Sequence, residues 1–231
     1  MVAAKQTVWN RGWTAIAIVV VALIIDQILK IWVKTNMSLH ESIEIASWFK
    51  ITFIENPGMA FGMEIGSKLF LSLFRIVAVI GLSYYIWLQV SLKARGGYVV
   101  LLSLILAGAI GNLLDCMFYG LMFNASTYEH VSEFVSFGDG YAPFLMGRVV
   151  DMFYFPLIES TWPQWVPFVG GQDFIFFSPI FNFADSCVSV GIIALLLFYR
   201  QELSQISFSR PSSPSDAEEE APQSVSGHEE K

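Results

Sequence analysis

Charge is scarce in this chain: 14% of its 231 residues are Asp, Glu, Lys or Arg, against 55% hydrophobic. Soluble domains carry about a quarter charged residues, so the shortage argues against a water-soluble globule. Histidine and cysteine are also rare, at three and two copies. His40, His130 and His228 are scattered, and Cys116 and Cys187 make no CxxC or Cys/His ligand spacing. That leaves little for a zinc site or a Cys/His nucleophile, and the bland expectation for both thiols is packing in a membrane core. HExxH, GxSxG and GxxxxGK[ST] are absent, which removes the metalloprotease, serine-hydrolase and P-loop readings. No metal, cofactor or nucleic-acid partner is expected.

Apolar length is what the chain has in quantity, with a mean hydropathy of +0.56. Four segments are long enough to span a bilayer, about 12–33, 69–92, 98–119 and 180–199. The first is too long for a cleaved leader's core and no small-residue cleavage pattern follows it, so it is expected to stay. The fold class expected is an all-α membrane protein of four transmembrane helices with a small extracytoplasmic β-element. Lys5, Arg11, Lys93, Arg95, Arg200 and Arg210 crowd one set of helix ends, which predicts a multi-pass protein with both termini cytoplasmic. Lys30, Lys34, Lys50, Lys68 and Arg148 are assigned to the opposite side, spread over longer loops. Residues 1–200 are expected to form the membrane domain. Residues 201–231, rich in Pro, Ser and Glu from Arg210 on, are expected to form a disordered acidic cytoplasmic tail.

Polar residues inside the spans are the informative exceptions, because each is costly there unless it faces protein or water. Counting 1.5 Å of rise per residue from the cytoplasmic ends places Asp26 ~21 Å up, Asp115 ~26 Å, Asp185 ~22 Å and Arg75 ~27 Å. Four helices therefore contribute ionisable groups to one layer in the outer part of the membrane. A shared site is the natural reading, and a structural polar cluster is the plain one.

Between the first two spans, SIEIASWFKITFIENPGMAFGM reads as short strands closed by a turn at Asn56-Pro57-Gly58. Asn56 could be turn chemistry alone, and Gly58 simply a residue allowed positive φ. In the second outer loop, about 120–179, Asp151 sits within GRVVDMFYFP. An acid flanked by apolar residues is either buried with a partner or aimed into a site. Trp162, Trp165 and the many Phe residues of that loop suit an interfacial belt. Asp151 and Asp185 could share a proton and polarise a water for attack on a carbonyl; separate structural carboxylates remain the alternative. The polar layer alone would also suit a protein that conducts protons or binds ions.

DQILK from Asp26, ENPGMAFG from Glu55, GAIGNLLD from Gly108, GRVVDMF from Gly147 and FNFAD from Phe181 resemble, in order and spacing, motifs of the lipoprotein signal peptidases (signal peptidase II). The likeness runs from about residue 12 to 200. It implies an aspartic endopeptidase of the bacterial inner membrane, with its active site near the periplasmic face. The implied partners are membrane lipid and a diacylated prolipoprotein substrate, cut just before the lipidated cysteine by an enzyme working as a monomer. By motif, Asp151 and Asp185 become the catalytic pair. Asp26, Asn56, Asn112, Asp115 and Asn182 match positions that bind substrate or hold the catalytic groups, and Gly58, Ala60 and Phe61 match the loop bordering the site. Two departures stand out. Cys116 occupies the place after the third-helix acid where the family commonly has Arg, and the loop around Asp151 is longer than the family core needs. Arg75 by depth, or Arg148 by proximity to Asp151, is expected to supply the missing cation.

Overall fold

The computed structural model describes residues 2–58 and 65–204. Ala60, Phe61 and the expected tail from 205 onward lie outside the described residues. Helix α1 runs Val2–Asn36, followed by strands β1 (Ser42–Ala46) and β2 (Phe49–Asn56). Helices α2 (Ile65–Ser91) and α3 (Gly96–Leu114) come next. A π-helical turn (Asp115–Tyr119) and a short α4 (Gly120–Met122) extend α3. Strands β3 (Val149–Tyr154), β4 (Ile158–Thr161), β5 (Asp173–Phe176) and β6 (Ile180–Phe181) then lead into α5 (Phe183–Phe198) and α6 (Arg200–Ser204).

Three stretches, Asn10–Asn36, Lys68–Ser91 and Gly96–Met122, are long and apolar enough to cross a membrane. The fourth expected span is the shorter α5, whose 16 residues rise about 24 Å. The helices are organised inside out. On α1 the exposed face carries Ile16, Val20, Ile24, Ile28 and Trp32, while Ala22, Asp26, Lys30, Val33 and Lys34 are buried. This i, i+4 pattern turns polar residues inward and leaves aliphatic ones for lipid. Helix α3 is the central element, 61% of its span window being buried against 22% and 17% for the other two spans. Small residues set how closely it packs on α5. A Cβ on Gly108 would run into the Ala184 carbonyl, and one on Gly191 would meet Ile105.

The β-structure is larger than a small element between the first two helices. Four strands form an antiparallel sheet in the order β1-β2-β3-β6, and β4 pairs with β5 in a separate hairpin. Asp151, expected on a loop, therefore lies on a central strand, opposite Ile54 of β2. Its neighbours Val150 and Met152 join Val33, Met37, Phe53 and Phe123 in a buried cluster, so strand alternation turns Asp151 to the other face. At the opposite end of the bundle, an Arg11 guanidinium nitrogen donates to the Ala94 carbonyl (2.6 Å) and Arg95 pairs with Glu202 (3.0 Å). These contacts gather the start of α1, the α2–α3 turn and α6. Residues 201–204 are thus helical, and Leu203 packs on the bundle core.

Candidate active site

Helix α5 begins where it does because Asn182 caps it. The Asn182 Oδ1 accepts the Asp185 backbone N–H (2.9 Å), and the Asn182 N–H donates to Asp185 Oδ2 (3.3 Å). This reciprocal capping box fixes Asp185 at the helix N-terminus, where the positive end of the macrodipole favours a carboxylate. The same Asn182 amide reaches across to the sheet, donating through Nδ2 to Asp151 Oδ1 (2.6 Å) and to Asn112 Oδ1 (3.1 Å). Asn112 in turn donates to Asp185 Oδ1 (2.7 Å). Asp151 and Asp185, 34 positions apart in sequence, are therefore joined by one amide.

Behind this pair lies a buried ionic triad. Lys30 Nζ sits 3.0 Å from Asp26 Oδ2 and 2.9 Å from Asp115 Oδ2, and donates to Asn112 Oδ1 at 2.9 Å. Each of these two acids holds a backbone N–H next to a member of the pair. Asp26 Oδ1 accepts from Ala184 (2.9 Å), and Asp115 Oδ2 accepts from Val150 (3.3 Å). Gln27 Nε2 donates to both carboxylates. Close approach is essential here, since a Cβ on Gly111 would stand 2.6 Å from Asp26 Oδ2. The π-turn that starts at Asp115 also contributes. It departs from the regular i to i+4 ladder, and the Gly147 N–H donates to the Cys116 carbonyl (2.9 Å) as the chain approaches β3.

Exposure grades the site. Asn182 and Asp151 are buried, at 0% and 3%, whereas Asp185 and Asn112 are half-buried and Asn56 is exposed. Burial first, and then the charge of Asp185, push the Asp151 carboxyl up to about 7, against hydrogen bonds from Asn182 and Asn56 and the charge of Lys30. Asn56 thus serves the site as well as its turn, where its Oδ1 accepts the Gly58 N–H (2.8 Å). Gly58 needs its glycine, with φ at 68° and a Cβ position 2.9 Å from Leu71.

The two candidate cations separate. An Arg75 guanidinium nitrogen donates to Cys116 Sγ (2.9 Å), and its two terminal nitrogens come within 3.9 and 4.0 Å of the Gly58 Cβ position. Arg148 instead pairs with Glu55 Oε2 (3.0 Å) and lies over the Tyr141 ring. Cys116 is accordingly more than core packing. Glu55 also pairs with Lys34 and accepts from Ser126 (2.9 Å). Burial would raise the Glu55 carboxyl, but Lys34 beside it, with Ser126 and Arg148, holds it below the usual range. Lys30 and Lys34, assigned from sequence to the outer side as loop charges, are fully buried in α1. Each has an acid within reach, and that is what allows an ammonium to be buried. Sequence reasoning did not include Lys30, Lys34, Gln27 or Glu55 in the site. The Asp26-x-x-x-Lys30 spacing, one helical turn, was the available signal.

Comparison with known proteins settles the family. The family model described as Signal peptidase (SPase) II matches residues 18–200. The chain belongs to the signal peptidase II family. It is 51% identical over 196 residues to the lipoprotein signal peptidase of Porphyromonas gingivalis, covering 84% of this chain and 86% of that one. The protein of that name from Amoebophilus asiaticus is 34% identical over 205 residues, covering 85% and 81%. Among solved structures, a bacterial membrane enzyme matches with a TM-score of 0.55 at 25% identity, covering 84% of this chain and 94% of the other. As a member of the signal peptidase II family the chain is a protease, and its long apolar helices make it a multi-pass membrane protein.

Proposed function

We propose that this signal peptidase II cleaves the signal peptide from prolipoproteins diacylglycerated on the lipobox cysteine, just before that cysteine, using a water activated between Asp151 and Asp185. The observation that supports the reading is the Asn182 amide, which donates to the Asp151 carboxylate and accepts the backbone N–H of Asp185. Asp185 takes the role of base. Its carboxylate accepts hydrogen bonds from Asn112 and the Asn182 N–H at the head of α5. Asp151, pushed up to about 7 by burial and by the charge of Asp185, holds the proton that the reaction donates.

Water loses its proton to Asp185 as its oxygen bonds the scissile carbonyl carbon, and Asp151 donates its proton to the carbonyl oxygen. When the tetrahedral carbon collapses, the C–N bond breaks, Asp185 protonates the leaving amine and Asp151 recovers the proton from the hydroxyl. Asp26 and Asp115 are positioning residues, acting through the Ala184 and Val150 N–H groups. Asn56, Gly58, Asn112, Asn182 and Arg75 surround the substrate's path, and Arg148 supports it through Glu55. Four helices, α5 included, cross the inner membrane, with the Arg11, Arg95 and Arg200 ends cytoplasmic and the sheet periplasmic. The acyl chains of the substrate stay in lipid while the scissile bond meets the acids at the outer boundary. The protein works as a monomer.

The test is incubation of purified protein with a diacylated prolipoprotein, followed by mass measurement of the products. Asp151→Asn and Asp185→Asn are each expected to leave the substrate uncut while the protein inserts and folds. Full activity in either variant removes the assignment.

A further inference from the structure

The β4–β5 hairpin carries no part of the site, yet it holds the most exposed aromatic side chains of the described protein. Its tip, Trp162 to Gln172, reads WPQWVPFVGGQ and contains no charged residue. Phe168 is 100% exposed and Trp165 82%. Leu157, Ile158 and Phe176 along the strands are also exposed. Nothing else in the described chain covers these rings, so their burial has to come from outside it.

The tip is nonetheless ordered by its own backbone. The Gly171 N–H donates to the Trp162 carbonyl and the Trp162 N–H to the Gln172 carbonyl, both at 2.9 Å. The Val166, Gly170 and Gln172 N–H groups donate to Pro163, Val166 and Val169. Five of the tip's nine N–H groups are thus paired within the loop, which lowers the cost of seating it at the membrane boundary, where water still reaches the remainder. Phe168 adds a second sign, because its φ is 69°. A bulky residue held in the left-handed region at a fully exposed position is strained with no packing to show for it.

The hairpin base places the tip near lipid. Three residues separate β5 from β6, which pairs with β3, and α5 begins two residues after β6. Phe177, at the base, meets the Phe181 ring edge-on at 6.0 Å. The hairpin thus leaves the sheet directly beside the head of an apolar helix. Tryptophan is enriched at the water–hydrocarbon boundary, and Trp with Phe forms the apolar face of segments that lie in it. A protein-docking hot spot would be expected to mix aromatic residues with Arg and a polar rim, and this tip has no Arg and no charge.

We propose that the β4–β5 hairpin is a monotopic anchor, seating Trp165 and Phe168 in the leaflet at the sheet end of the same bilayer the long helices cross. The test uses the full chain in nanodiscs of phosphatidylethanolamine and phosphatidylglycerol. An environment-sensitive fluorophore is attached at Phe168→Cys, with a separate label at Glu129→Cys, an exposed loop position, as the aqueous control. Cys116 and Cys187 are buried, and labelling of the unsubstituted chain gives the background. The label at 168 is expected to be quenched by nitroxide-bearing lipid, and by aqueous iodide roughly threefold less than the label at 129. Trp165→Cys repeats the measurement at a second tip position. Equal iodide quenching at 129 and the tip, without lipid quenching, would overturn the anchor. So would protection of the tip from both quenchers, which would mean that protein covers it. Because the readout is depth and not cleavage, it stands apart from the catalytic assignment.

Discussion

Asp151→Asn is expected to make the protein inactive and, above neutral pH, more stable. The native carboxyl is pushed up to about 7 from an ordinary 3.8. Between those values the folded state therefore binds more protons than the unfolded chain, and stability falls as pH rises. The contribution is fully present below 3.8 and lost once pH passes about 7. With Asp151 buried at 3% exposure, that interval corresponds to at most about 4 kcal/mol. At roughly 2–4 °C per kcal/mol for a chain of this size, the ceiling is on the order of 10 °C in Tm. Asparagine keeps an acceptor for the Asn182 amide and never ionises, so it avoids the loss. Tm of wild type and variant, followed by tryptophan fluorescence in one detergent from pH 4 to pH 9, should coincide at the acidic end and diverge above pH 7, the variant higher. A variant no more stable at pH 8, or a gap that stays the same at every pH, would refute the account of Asp151 as a buried acid that ionises at a cost.

Lys30→Met should destabilise the protein by about 3–5 kcal/mol, because it leaves Asp26 and Asp115 as buried carboxylates without a cation; an unchanged unfolding midpoint would contradict the triad. Asn182→Ser separates two duties of one residue: serine can still cap α5, so the protein should fold with a stability loss of about 1–3 kcal/mol from the acceptors left on Asp151 and Asn112, while cleavage is lost with the bridging amide; full cleavage would contradict the role given to that amide. Arg75→Ala should reduce cleavage, and adding Cys116→Arg should restore part of it by returning a guanidinium to the vacated space; equal activity in both variants and wild type would remove Arg75 from the substrate's path. Gly111→Ala should displace Asp26 and lower both Tm and turnover, measured on the same preparation.

Much of the site was legible because its residues are expensive where they stand. Asp26, Asp115 and Asp185 are polar groups in apolar runs, and simple helical rise put them at one height. Asp151 was marked by its apolar neighbours. The strand beneath it was not legible, since pairing of β3 with β2 joins segments nearly a hundred residues apart and leaves no local trace. Lys30 was counted only as a loop charge, because a positive residue near a helix end reads as a boundary signal unless its partners are known, and Asp115 lies 85 positions away. The Asn182-x-x-Asp185 spacing was a readable helix start, overlooked because the acid drew attention as chemistry first. The π-turn follows from packing that sequence periodicity does not encode, and the hairpin from backbone pairing across its uncharged tip.

The ammonium of Lys30 is common to both arms of the machine. Through one carboxylate it steadies the helix that bears Asp185, and through the other the strand that bears Asp151. Withdrawing that one positive charge would consequently be felt at both acids at once, although they sit on separate elements.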